Sequence, residues 1–124
     1  MNLRKKIYIQ VHKGYFVSRI IGNSNDSTDT CEGLIHPRTL AGDWEKIELG
    51  LKSIIRKHTN FMGYVFKPIL LVHLVPKLEG GYSTSEMKIF NLLAISAGAH
   101  FCYMCLDKYD PLSDKELKDL FQYL

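Results

Sequence analysis

The sequence predicts an α/β fold in the order β-β-β-α-β-α-β-α: a five-stranded mixed sheet with helices on both faces. Three observations carry this. Residues 7–21 are rich in β-branched and aromatic side chains and are broken by one turn. Ile69 to Leu74 is a continuous apolar run of strand length, as expected of a strand covered on both faces. Three later segments repeat apolar residues at helical spacing, each behind a capping residue.

The stretch from Ile7 to Ile21 is interrupted at His12-Lys13-Gly14 and reads as a hairpin, with Gly14 supplying the turn. Gly22 to Thr30 (GNSNDSTDT) has nothing to bury and reads as a mobile loop. Cys31 to Ile35 reads as a short third strand, broken by Pro37. Asp43 caps a helix whose apolar face is Trp44, Ile47, Leu51, Ile54, Ile55 and His58, with Gly50 weakening it slightly. Pro68 precedes the covered strand, Ile69 to Leu74.

Ser83-Thr84-Ser85-Glu86 forms a capping box. The helix it opens presents Met87, Phe90, Leu93, Ala94 and Ala97 and ends at Gly98. Phe101 to Leu106 is the last strand, and a second box, Ser113 to Glu116, opens a terminal helix bearing Leu117, Leu120, Phe121 and Leu124. With no repeat and no linker, residues 1–124 read as one domain.

Nearly half of the 124 residues are hydrophobic and 23% are charged, enough for one core without a disulfide or metal. A net charge of +3, spread along the chain apart from Arg4-Lys5-Lys6, argues against nucleic-acid binding. The apolar runs are too short to span a bilayer, and the N-terminus lacks the pattern of a signal peptide. Three cysteines without a secretory signal point to free thiols and the cytoplasm.

Three segments carry a family resemblance: Arg38 to Glu48 (RTLAGDWEKIE), Lys67 to Glu79 (KPILLVHLVPKLE), and Ser83 to Met104 with its Ala97-Gly98-Ala99 end. In order and spacing they resemble a single lobe, the ribonuclease-H-like half, of the actin-like ATPase superfamily. They look most like the bacterial rod-shape-determining actin homologues. The resemblance covers roughly residues 34 to 107.

It implies an ATP and magnesium site built on the first hairpin. The hairpin here is Ile9-Gln10-Val11-His12-Lys13-Gly14-Tyr15. Gln10 stands where the family has its metal-organising aspartate, and an amide cannot replace a carboxylate's charge at magnesium. His12 and Tyr15 crowd a turn in which phosphate needs small side chains. Lys13 and Gly14 are what remains to meet an anion, and Asp107 lies at or within one residue of the place of the residue that orients the attacking water; its other reading is a solvated aspartate leading into Lys108-Tyr109-Asp110-Pro111. The family's second lobe is missing from this sequence.

The resemblance thus implies a degenerate lobe acting as a binding or scaffold module in cell-shape or envelope assembly. Its partner would be a cytoskeletal protein or a second copy, reached through Leu78 and Tyr82 of a flexible loop. The rival reading is an ATPase subunit that completes its nucleotide site with a second chain, using Lys13, Gly14 and Asp107. A ribonuclease-H-type nuclease is set aside because the first strand has no carboxylate.

The remaining polar features read as structural. Cys102 and Cys105 are three apart in a strand and therefore face opposite sides, unlike a redox pair opening a helix. Cys31, His73 and His100 lack the spacing of further zinc ligands, so a metal or thiol protein is a third, weaker reading. His73 reads as a satisfied core histidine, and His36-Pro37-Arg38 as a turn with an exposed cation at the edge of the expected cleft.

Overall fold

The computed structural model describes residues 4–22, 25–35, 42–59, 65–76, 84–105 and 110–121. Its strands are β1 (Lys6–His12), β2 (Tyr15–Ile20), β3 (Ser27–Thr30), β4 (Ile69–Leu74) and β5 (Phe101–Cys105), and its helices α1 (Trp44–Thr59), α2 (Thr84–Ser96) and α3 (Asp114–Phe121). The five strands form one mixed sheet in the order β3-β2-β1-β4-β5. β1, β2 and β3 pair antiparallel, whereas β1, β4 and β5 run parallel.

Strand alternation sorts the side chains between two layers. Ile7, Ile9 and Val11 of β1, with Leu70, Val72 and Leu74 of β4, turn to the face that carries α1 and α2. Tyr8, Ile69 and Leu71 turn to the other face, where Leu112, Leu117 and Phe121 bring α3 against them. Every residue of β4 is buried, because it is an interior strand with helices above and below. β1 holds the middle position, with β4 beside it.

The β1–β2 hairpin turns at Lys13 and Gly14, and Gly14 adopts φ 89°, a conformation that L side chains resist. At α1, the Asp43 carboxylate accepts the Lys46 N–H at 3.3 Å, so the expected cap forms. Ile47, Leu51, Ile54 and Ile55 are buried as their spacing requires. Trp44 departs from that face and is 54% exposed. His58 sits at its margin, 3.0 Å from Ser18 Oγ.

Gly50 has a packing reason for its place in α1. A Cβ there would lie 2.8 Å from Cε2 of Phe16, so the glycine lets the helix settle onto β2. The terminal capping box forms as read: Ser113 Oγ accepts the Glu116 N–H and Glu116 Oε1 accepts the Ser113 N–H, both at 3.2 Å. Ser83 of the other box lies outside the described residues.

Two readings between the hairpin and α1 are corrected. Ser27 to Thr30, expected in a loop, is the third strand, paired with β2 from Ser18↔Ser27 to Tyr15↔Thr30. Cys31 to Ile35, expected as that strand, instead contains a short 3₁₀ turn over Glu32–Leu34. The polar strand is possible because it is an edge, with one face and one side open to water, so it needs no apolar alternation.

Candidate functional site

Ligands of open α/β sheets bind beyond the carboxyl ends of the parallel strands. Here that end gathers Gln10 and His12 from β1 and His73 from β4, on the α3 side of the sheet, next to the hairpin tip. The β1–β4 register sets Gln10 beside His73. These side chains form a linked polar group.

Tyr8 is fully buried, and its hydroxyl lies 2.7 Å from Nδ1 of His73, itself fully buried. The Leu112 N–H donates to the Tyr8 oxygen at 3.0 Å, which leaves the hydroxyl proton for His73. Burial, only partly offset by that N–H, pushes the Tyr8 phenol up to about 12. It is therefore a neutral hydrogen-bonding group. Gln10 Oε1 and His12 Nε2 lie 2.8 Å apart, and the His12 ring stacks on Tyr15 at 4.6 Å and 3°. Desolvation first, and His73 second, hold His12 below the usual imidazole pKa. β1 contributes an amide and an imidazole to this end of the sheet, and no carboxylate.

The hairpin tip is closed from the inside. The Gly14 N–H donates to the Leu34 carbonyl at 3.2 Å, and the Gly14 carbonyl accepts the Cys31 N–H at 2.8 Å. Ile35 lies over the glycine, with Cγ1 3.5 Å from where a Cβ would stand. A phosphate cradle needs backbone N–H groups directed outward at a shared point. The Gly14 amide is directed into the protein instead, while Lys13 is exposed at the tip. The structure thus brings Lys13, Gly14, Gln10, His12 and Tyr15 together at one end. Asp107, Leu78, Tyr82 and His36-Pro37-Arg38 lie outside the described residues.

The thiols are placed apart. Cys102 lies in the core under α1 and α2, and Cys105 packs on the α3 side. All three cysteines are free; burial raises the Cys31 thiol and pushes Cys102 up to about 12. Among the described residues, no three His, Cys, Asp or Glu side chains cluster closely enough to hold a metal ion.

An open cleft of about 600 Å³ lies between β3 and α1, lined by Thr28, Asp29, Thr30, Glu32, Lys46 and Ser53 among others. Its charges are already engaged: Lys46 pairs with Glu32 at 3.0 Å, and Lys57 of α1 with Asp29 at 2.5 Å. Among the described residues no helix is long and apolar enough to cross a membrane.

Sequence alone places Tyr8, Gln10 and His12 on one face, since they alternate along a strand. The Tyr8–His73 contact needs the β1–β4 register, 65 residues apart in the chain, and has no local signature. No protein-family model matches the chain, and no curated protein matches it in sequence.

Proposed function

We propose that this chain is a degenerate actin-like lobe of ribonuclease-H-like topology that works as a binding or scaffold module rather than as an ATPase. The layout of three antiparallel strands followed by alternating helix and strand agrees with that reading. The observation that carries it is the Gly14 amide, donated to Leu34 behind a stacked His12–Tyr15 pair. A hairpin so closed offers a phosphate one exposed lysine and no converging amides, and Gln10 supplies no charge for magnesium. In this reading the protein acts in the cytoplasm with free thiols and meets another protein or its own copy in cell-shape or envelope assembly. It uses neither nucleic acid nor membrane insertion.

The test is the melting temperature with and without millimolar magnesium-ATP. A ligand far above its dissociation constant must stabilise the folded state. No change is expected. A rise of several degrees, lost on Lys13→Ala, would instead favour an ATPase subunit built on Lys13 and Gly14.

A further inference from the structure

The two edges of the sheet are built differently. β3, at one edge, is short and carries Asp29, paired to Lys57. Charges and short length are the devices that keep an edge from pairing with another chain. β5, at the other edge, reads Phe101-Cys102-Tyr103-Met104-Cys105, with no charge and no proline.

The surroundings of β5 are also apolar. Phe101 and Tyr103 stand on the α3 side of the sheet, 47% and 43% exposed, although their neighbours Ile69 and Leu71 on β4 are buried. On the opposite side α2 lies against β5, tied to it by Asn91 Nδ2 donating to the Cys102 carbonyl at 2.9 Å. Ile95, one turn after Asn91 and so on the same side of α2, is 43% exposed, and Leu92 is 68% exposed. One edge of the molecule therefore presents open apolar side chains above and below an unguarded strand.

We propose that β5 pairs antiparallel with β5 of a second copy, joining two sheets across a twofold axis at Tyr103. This rests on the scaffold reading above and names its partner. The choice of a second copy follows from the charge pattern. In a twofold contact each side chain meets its own kind or its mirror position, so any charge on the strand would face a like charge nearby. β5 has none. Pairing all five residues sets Tyr103 against Tyr103 and Phe101 against Cys105, on one face. The same contact brings the two α2 helices together and covers Ile95.

The experiment is sedimentation equilibrium of the full chain at high micromolar concentration, with charge variants at the axis. Wild type is expected to give a species of twice the chain mass. Tyr103→Lys and Tyr103→Glu are each expected to be monomeric and folded, and their equimolar mixture to recover the dimer, because opposite charges then meet. A monomeric wild type, a dimeric Tyr103→Lys, or a mixture that stays monomeric would overturn the proposal. Should a charged variant fail to fold, Tyr103→Cys serves. Opposed Cα atoms in an antiparallel pair lie within disulfide reach. Mild oxidation is then expected to give a covalent dimer that wild type does not form, and its failure would equally count against the pairing. A monomeric result leaves the magnesium-ATP outcome untouched, so the two readings fail separately.

Discussion

At the scale of single residues, Tyr8 shows how one side chain ties three parts of the chain together. It accepts the Leu112 N–H, meets His73 at 2.7 Å and lies under the Arg19 guanidinium at 5.7 Å. Tyr8→Phe keeps the ring and removes both hydrogen bonds, leaving a buried N–H and an imidazole nitrogen without that partner. The expected loss is about 1–3 kcal/mol in urea unfolding; a neutral result would mean that water replaces the hydroxyl. Leu71→Ala removes buried apolar volume between β4 and α3. The expected cost is about 2–5 kcal/mol, and a cost below 1 kcal/mol would mean that α3 collapses onto the gap.

At the scale of elements, α3 is held by polar contacts as well as by Leu117 and Phe121. Arg19 of β2 donates to the Leu112 carbonyl at 3.0 Å and meets Asp114 at 3.2 Å and Asp26 at 3.7 Å. The two carboxylates are about half exposed, so water screens the charge part, and the partly buried bond to the Leu112 carbonyl matters most. Arg19→Met is expected to cost about 1–2 kcal/mol. In hydrogen exchange, α3 amides should lose protection before those of β1 and β4; uniform loss across the sheet would contradict a local clasp.

Legibility followed burial. β1, β2, β4 and all three helices could be read because each has a buried face that imposes a period of two or of 3.6. β3 could not, because Ser-Thr-Asp-Thr buries no apolar face and is held by backbone pairing to β2 and by Lys57. Cys31-Glu32-Gly33-Leu34-Ile35 looked like the strand because Cys31 and Leu34 are core residues; a 3₁₀ turn buries them equally well. The closed Gly14 amide could not be read either, since its acceptor, Leu34, is reached only after β3 returns the chain past the hairpin.

At the scale of the whole molecule, two partly buried histidines give stability a pH dependence. Desolvation is the main cause that lowers both His12 and His58 from 6.5. Their folded-state pKa values lie below the unfolded one, so below about pH 6.5 the unfolded chain binds protons that the folded chain does not. The stability contributed through these two groups is therefore complete above that pH and falls as the pH drops toward the folded values. The urea midpoint should be flat near neutral pH and decline into mild acid, with a shallower decline in His58→Gln; in alkali it should decline again, because Cys102 and Tyr8 stay protonated in the folded chain after their unfolded counterparts ionise. A midpoint that rises on acidification would reverse the assignment.

The hairpin is turned inward on Leu34, to which the Gly14 N–H donates, and in the proposed function this keeps it from a phosphate. The Gly14 amide resonance tests it most directly, through its exchange rate and its position during a magnesium-ATP titration. Slow exchange is expected, as for a hydrogen-bonded amide, with a resonance that does not move when nucleotide is added. Fast exchange of Gly14, with a saturable shift on adding magnesium-ATP, would contradict it.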